Sequence, residues 1–349
     1  MPNSKVIQSA RDDAVLAIIL VNWNGWRDTI ECLESIFKNA GNDFQVIVCD
    51  NASSDESCDK ITQWASGQLV CEPASTNMAQ YSSPQITKPI KLKYIDENGN
   101  TSGDTGANLI LIQTGSNLGF AGGNNVGLQY AQEHSECEYF WLLNNDTVIE
   151  ENAIKSLIAH MQASPNVGMC GTRIQFYCQP DVIQALGGAT YNPWTGTSQC
   201  IANYEASQTQ ISDHEIVSKC DFIVGASMCL TREFLEKVGF MEEKYFLYYE
   251  EIDWARRAKG KFEMGYASGV TVYHKEGGAI GSSSVKGSRS ALSEYYLMRS
   301  KLLFTRSHYP TKLPSVYLYG IGQVFIRLLR GKKNLAKAIT LAMIGKNLP

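Results

Sequence analysis

The segment VLAIILVN (residues 15–22) is an unbroken apolar run rich in β-branched residues. A strand with one wet face alternates polar and apolar positions. One that does not alternate is buried on both faces, as in a parallel sheet covered by helices on either side. The pattern recurs in FQVIVCD (44–50), ANLILIQT (107–114) and YFWLL (139–143). Between these runs lie helical segments. Residues 28–37 carry Ile30, Leu33, Ile36 and Phe37 on one side, 55–65 follow the second strand, and 121–133 open on glycines. Strand–helix alternation of this kind predicts an open, mostly parallel α/β sheet. Ligands of such sheets bind outside the carboxyl ends of the strands. Asp50 and Asp146 lie at two of those ends.

Residues 66–106 break the rhythm. They are rich in Ser, Thr, Pro, Gly and Asn, with a hairpin expected at Asp96-Glu97-Asn98-Gly99, and they read as a surface insertion. Helices are expected again at 152–163, 232–239 and within 245–260, with mixed strand and loop over 167–224. Residues 266–278 read as a strand running into a glycine-rich loop that continues to about 288. The expected organisation is a flexible N-terminus (1–13), a single domain over 14–290 that contains the insertion, and a basic, apolar helical region over 291–349.

Hydrophobic residues make up 44% and charged ones 19% of the chain, an ordinary globular composition that excludes a disordered polyelectrolyte. The net charge is only −4, but it is unevenly spread. After Glu294 there is no acid, and Arg299, Lys301, Arg306, Lys312, Arg327, Arg330, Lys332, Lys333, Lys337 and Lys346 are all basic. A basic, apolar tail on an acidic body suits an anionic membrane face. Equally, the tail could dock on its own domain or on another copy of the chain, a homo-oligomer. Residues 313–333 come closest to a membrane span, but Gly320, Gly322, Gln323 and Arg327 interrupt them, so they read as interfacial. The ten cysteines are scattered without a Cys-x-x-Cys pair, which argues against a zinc site. With no signal peptide at the N-terminus, reduced thiols and a cytoplasmic location are expected, at most peripheral at the cytoplasmic face of the inner membrane. No nucleic-acid partner is expected.

Four clusters carry chemistry. Asp50-Asn51-Ala52-Ser53 follows a buried strand, where a carboxylate can accept hydrogen bonds from a ribose or a base edge; as a plain turn, Ser53 or Ser54 would cap the next helix. GSNLGFAGGNN (115–125) has glycines at 115, 119, 122 and 123 that allow close backbone approach to a phosphate or sugar, although it matches neither a P-loop nor a dinucleotide fingerprint. Asn144-Asn145-Asp146 sets one anion and two amide oxygens at a strand end, the hard oxygen donors that Mg2+ or Mn2+ prefers when phosphates supply the remainder. Thr147 with Glu150 also fits a helix capping box. YYEEIDWARR (248–257) holds Glu250, Glu251 and Asp253 beside aromatics. Like charges so close and partly buried raise at least one pKa, which suits a general base near neutral pH, while Asp253 has Arg256 or Arg257 within one turn. His274, at a strand end before the glycine-rich loop, could ligate a metal.

Taken in order, VNWNG (21–25), DNASSD (50–55), NLGFAGGNN (117–125), LLNNDT (142–147), GASMCLTREFLEKVGF (225–240), YYEEIDWARR (248–257) and VYH (272–274) resemble the family 2 glycosyltransferases of the inverting GT-A type, most of all their rhamnosyltransferase-like branch of bacterial surface polysaccharide synthesis. The resemblance implies a GT-A fold: one nucleotide-diphospho-sugar transferase domain with a mostly parallel central sheet, followed by the helical C-terminal tail. It implies that Val21, Asn22, Asn24, Asp50 and Asn51 hold the base and ribose, and that Asn117, Gly119, Gly122, Gly123 and Asn124 line the nucleotide-sugar cleft. Asn144, Asn145 and Asp146 occupy the position of the family's D-x-D motif, with Asp146 and His274 as ligands of Mg2+ or Mn2+. Glu250 and Glu251 match its acidic pair, Glu251 being the base, with Asp253 and Trp254 on the acceptor side or in support. The implied partners are a nucleotide-diphosphate sugar, dTDP-rhamnose first, and a glycan or lipid-linked acceptor.

Two positions depart from the pattern. Asn144 stands where the first Asp of D-x-D is usual, and Glu251 where Asp is more common. The rival functions are a nucleotidyltransferase on a similar sheet, which would want more than Arg27 near the first strand, and a non-catalytic nucleotide-sugar-binding relative, which would lack the acidic pair. A dehydrogenase has no first-strand dinucleotide loop to support it.

Overall fold

A computed structural model describes residues 14–39, 41, 43–276 and 289–348. The expected flexible N-terminus (1–13) and the glycine-rich loop from 277 to 288 lie outside the described residues. Among the described residues the main sheet has eleven strands. Its path runs Thr101–Gly103, Leu92–Ile95, Leu109–Gln113, Phe44–Asp50, Leu16–Asn22, Tyr139–Leu143, Ser227–Thr231, Val167–Phe176, Glu263–His274, Thr147–Ile149, with Gln179–Leu186 paired to Val167–Phe176. The strands read from sequence form its parallel part: Leu16–Asn22 lies between Phe44–Asp50 and Tyr139–Leu143, and Leu109–Gln113 is parallel to Phe44–Asp50. Antiparallel returns follow, with Ser227–Thr231 between Tyr139–Leu143 and Val167–Phe176. The architecture is therefore mixed α/β.

Burial on both faces explains the missing alternation. Leu16, Ile18 and Leu20 join one core with Leu33, Trp64, Trp141 and Leu157. Ala17 and Ile19, their immediate neighbours, join the opposite core with Leu128, Phe140, Phe234 and Trp254. Successive side chains of a strand point to opposite faces, so a strand between two cores must be apolar at every position.

Two expectations need correction. Residues 147–150 do not cap a helix. Thr147–Ile149 is a short strand antiparallel to the end of Glu263–His274, and the next helix, Ala153–Ala163, begins after Asn152. Thr147 Oγ1 donates to the Asn144 carbonyl rather than accepting from a helix amide. Likewise Ser53 does not cap the second helix, which starts at Ser57.

The insertion is also more than surface decoration. The expected hairpin is present, with Leu92–Ile95 antiparallel to Thr101–Gly103, but Leu92–Ile95 also pairs in parallel with Leu109–Gln113 and so extends the sheet. Lys88 bonds the buried Glu34 at 2.9 Å and lies over the Trp64 ring, while Tyr81 OH meets Tyr273 OH at 3.0 Å.

The C-terminal region forms three helices, Ala291–His308, Leu313–Leu329 and Lys333–Met343, packed around Tyr295, Met298, Leu302, Val316, Ala338 and Ile339. The first is docked on the chain's own body: Phe304 enters the main core, Ser300 Oγ donates to the carbonyls of Tyr245 and Leu247, and His308 meets Asp253 at 2.6 Å. Among the described residues no helix is long and apolar enough to cross a membrane.

Candidate functional site

The carboxyl ends of Leu16–Asn22, Phe44–Asp50 and Tyr139–Leu143 open into a cavity of about 750 Å³. Val21, Trp23, Asp28, Asn51, Asn117, Gly119, Asn124, Asn144, Asn145, Asp146, Glu250, Glu251 and His274 are among the residues lining it. Chain segments far apart in sequence thus meet at one opening, as the strand-end rule for open sheets anticipates.

Asp146 and His274 are brought together by strand pairing. His274 is in register with Thr147, and the Lys275 amide donates to the Asp146 carbonyl at 2.9 Å. His274 Nε2 lies 3.1 Å from Asp146 Oδ1 and 3.2 Å from Asn144 Nδ2. Burial alone would raise the Asp146 carboxyl, but the imidazole beside it outweighs this and holds it below the usual range. Burial likewise opposes a charged His274, and the Asp146 carboxylate overrides it and raises the imidazole. His274 Nδ1 is 2.9 Å from Gln184 Oε1, and Gln184 Nε2 donates to Glu276 at 2.8 Å. That chain fixes the ring orientation and leaves Nε2 turned towards Asp146.

Glu250 and Glu251 open the helix Glu250–Ala258. The backbone ahead of them is left-handed at three non-glycine residues: Phe246 (φ 59°), Tyr248 (φ 65°) and Tyr249 (φ 77°). Each such residue costs roughly 1–2 kcal/mol. Such outliers persist only where the surroundings over-determine them, and here they turn both carboxylates into the cavity. Oε2 of each acid has no hydrogen-bond partner among the described residues. Burial pushes Glu251 up to about 7, against opposing backbone amide bonds. Burial and the charge of Glu251 push Glu250 well above the carboxylate range. The pair therefore holds one proton more than two free glutamates would near neutral pH.

Several of the residues expected to contact a nucleotide sugar are held by hydrogen bonds within the protein. Asp50 is buried, and its carboxylate is saturated by the protein: Asn22 Nδ2 donates to Oδ1 at 2.6 Å, Ser53 Oγ to Oδ1 at 2.7 Å and the Ser53 amide to Oδ2 at 2.9 Å. Asn51, not Asp50, reaches the cavity, and its Nδ2 donates to the Gly119 carbonyl. Asn22 receives Thr29 Oγ1 at 2.8 Å and Asn145 Nδ2 at 3.3 Å, and Asn24 accepts from the Ser54 amide at 2.8 Å; neither Asn22 nor Asn24 lines the cavity. Gly122 and Gly123 are packing glycines. A Cβ on Gly123 would lie 2.8 Å from Val21 Cγ1, and one on Gly122 2.7 Å from Leu118 Cβ. Gly119 needs its left-handed φ of 71°, and a Cβ there would lie 2.2 Å from the Phe246 carbonyl oxygen.

Asp253 and Trp254 are not among the residues lining the cavity and make supporting contacts. Asp253 bonds Arg257 at 2.8 Å, His308 at 2.6 Å and Tyr245 OH at 3.1 Å, and Trp254 Nε1 donates to the Gly239 carbonyl. Burial would raise the Asp253 carboxyl, but His308 and Arg257 overcome this and keep it low. An ion-paired, stabilised carboxylate is a poor base.

Sequence reasoning missed Asp28, Lys275 and Gln184. Lys275 Nζ bonds Asp28 at 2.7 Å and the buried Glu31 at 2.6 Å, tying the segment after His274 to the first helix. Asp28 stands just beyond the VNWNG motif and could have been suspected. Gln184 lies in a stretch without any chemical signature.

Comparison with known proteins bears on this site. The model of the family described as Glycosyl transferase family 2 matches residues 83–239, which include Asn117, Gly119 and Asp146 but not Glu250, Glu251 or His274. The low-salt glycan biosynthesis hexosyltransferase Agl10 of Haloferax volcanii is 23% identical over 273 residues, spanning 78% of this chain and 70% of that protein. Among solved structures, the mannosyltransferase PcManGT from Pyrobaculum calidifontis, in complex with GDP-Man and Mn2+, aligns at a TM-score of 0.49 and 12% identity over 98% of this chain and 90% of that one. Residues 1–349 of S. aureus TarS, in complex with UDP-GlcNAc, align at 0.47 and 12% identity over 96% and 93%. The match of residues 83–239 to the family 2 glycosyl transferase model and the similarity of most of the chain to a hexosyltransferase together mark it as a glycosyltransferase.

Proposed function

We propose that the chain transfers a sugar from a nucleotide-diphosphate sugar to a hydroxyl of a glycan or lipid-linked acceptor, with inversion at the anomeric carbon. The observation that carries this reading is the sharing of one cavity by the Asp146–His274 pair and the strained, partner-poor acids Glu250 and Glu251. In this reading Asn51, Asn117, Gly119 and Asn124 bound the donor's nucleotide, and Val21 packs beneath it.

Glu251 is the general base. With its pKa near 7 it is partly ionised at neutral pH, and the protonated Glu250 beside it spares the site a second charge. It takes the proton of the acceptor hydroxyl as that oxygen bonds to the anomeric carbon. The bond from that carbon to the diphosphate oxygen breaks on the opposite face, so one displacement inverts the centre without a covalent sugar–enzyme intermediate.

The donor set at Asp146 fits a divalent ion. It offers one carboxylate, one imidazole with a fixed ring and an adjacent amide at Asn144. Among the described residues no three His, Cys, Asp or Glu side chains cluster as a complete cage. Mg2+ and Mn2+ use such partial sets when substrate phosphates complete the shell. Bound there, the ion would supply Lewis-acid stabilisation of charge on the leaving diphosphate.

The outer face of Leu313–Leu329 suggests where the protein works. Leu318, Ile321, Phe325, Leu328 and Leu329 are exposed along it, Leu329 at 86%. Lys312, Arg330, Lys332 and Lys333 flank the helix, and no acid follows Glu294. An apolar stripe between cations is complementary to an anionic bilayer surface.

A screen of nucleotide sugars for thermal stabilisation and hydrolysis, with Mn2+ or Mg2+ and dTDP-rhamnose first, tests the function. Stabilisation by a nucleotide sugar supports it. The reading fails if no nucleotide sugar stabilises the protein or is turned over with either metal.

A further inference from the structure

A second cavity of about 140 Å³ adjoins the main one, and Arg289, Glu294 and Arg327 line both. Lys301 lines the smaller cavity and is only 4% exposed. Among the described residues its Nζ makes one recorded hydrogen bond, a long one of 3.3 Å to the Thr195 carbonyl, and lies 4.6 Å from the Tyr319 ring centre. No carboxylate lies within ion-pair distance of it among the described residues. A buried ammonium without a counter-ion is costly, and an anion arriving from outside would offset that cost.

The surroundings point the same way. Arg327 is bonded to Glu294 at 2.7 Å, which uses the nearby acid. Arg330 and Lys332 line the main cavity, and among the described residues neither has a carboxylate within ion-pair distance. Burial, helped by Arg289, lowers the Lys301 pKa to about 8, with Glu294 opposing, and an anion beside the ammonium would raise it again. Tyr249, the residue before Glu250, also lines the small cavity, which puts the cluster beside the acid pair.

We propose that Lys301, Arg327, Arg330 and Lys332 form a phosphate subsite for the acceptor, so that the hydroxyl activated by Glu251 belongs to a phosphate- or diphosphate-bearing molecule. The assignment of the acceptor side rests on the transfer role given to Glu251. A phosphate accepts several charge-assisted hydrogen bonds at once, and Arg and Lys together supply both forked and point-charge donors. Such a phosphate can come from a lipid-linked carrier or from a soluble phosphorylated glycan.

The test is calorimetric titration of the full chain with octyl phosphate and with inorganic phosphate, in chelator so that no divalent ion can hold them at Asp146. The variants are Lys301→Met and the exposed pair Arg330→Ala/Lys332→Ala, with Lys346→Ala as a control for lost charge. Wild type is expected to bind, both test variants to bind about tenfold or more weakly, and Lys346→Ala to bind like wild type. Lys301→Met should also raise Tm, because a desolvated charge has gone; a merely structural lysine would lower it. Tighter binding of octyl phosphate than of inorganic phosphate identifies a lipid-linked source, and equal binding a soluble one. The proposal is overturned if wild type binds neither probe, if both test variants bind like wild type, or if they lose nucleotide-sugar affinity while keeping phosphate affinity. Failure of the transfer reading would register separately, as absence of nucleotide-sugar hydrolysis by wild type, with the phosphate titration still readable.

Discussion

Asp146 and His274 stand 3.1 Å apart because the three-residue strand after Asp146 pairs with the last residues of the strand that ends at His274. Neither side chain alone makes a cation site, and their pairing depends on backbone register. With Asn144 unable to supply charge, Asp146 is the one anion the loop 144–146 offers. Asp146→Ala should therefore lower metal-dependent nucleotide-sugar affinity by about 100-fold or more, at the upper end of what loss of a metal-site group costs. Calorimetry with Mn2+ and the best donor from the screen would measure it; unchanged affinity would remove Asp146 from the metal site.

The acid pair sets two pH dependences of opposite sense. Transfer should rise with pH through about 7, as Glu251 loses its proton, and level off above. Stability should do the reverse. A carboxyl whose folded pKa is raised binds its proton more tightly in the folded chain, so folding is favoured at low pH and weakens between about 4.5, the unfolded value, and about 7. Glu251→Gln should therefore abolish the rise in transfer, keep donor binding, and raise Tm at pH 8 by a few degrees. Retained turnover in Glu251→Gln would move the base elsewhere.

Gly119 is required twice over, by its left-handed φ and by the nearby Phe246 carbonyl. Gly119→Ala should cost about 2–4 kcal/mol and displace the turn beside Asn117. Gly345→Ala is the matched control: its φ is also left-handed, at 70°, but a Cβ there meets nothing within 4 Å. It should cost only about 1 kcal/mol. Chemical denaturation of the two variants compares them directly, and equal losses would show that the contact with Phe246 does not matter.

The exposed helix face can be tested without disturbing the fold. Phe325→Ser with Leu329→Ser removes two large apolar groups that pack little of the interior, so Tm should hold. Co-sedimentation with vesicles containing anionic lipid should fall about tenfold or more, and wild-type binding should weaken with salt. Undiminished binding by the double variant would rule this face out as the contact.

The doubly buried strands were legible because their burial leaves a continuous apolar signature, and the positions of Asp50 and Asp146 followed from it. Their roles did not follow. Asp50 looks like a ligand-binding carboxylate until Asn22 and Ser53 are seen to occupy its oxygens, and those contacts are set by packing between separate strands. Thr147-Val148-Ile149 carried a β-branched strand signal that a nearby Thr-x-x-Glu pattern obscured. The acid pair was visible in sequence, while the left-handed turn that aims it was not, since Phe246, Tyr248 and Tyr249 have no intrinsic preference for that backbone. Lys301 was counted in the basic tail, but only the packing of three helices reveals that it is buried.

The outermost strand of the main sheet on the insertion side, Thr101–Gly103, is three residues long, fully exposed and ends at a glycine with φ 93°. At the other end, Thr147–Ile149 is buried, and Ser35 Oγ accepts the Ile149 amide. A passing strand would find too few free backbone groups to add to at one end and a covered ladder at the other. The hairpin in the insertion thus leaves that edge of the main sheet little with which to template edge-on aggregation.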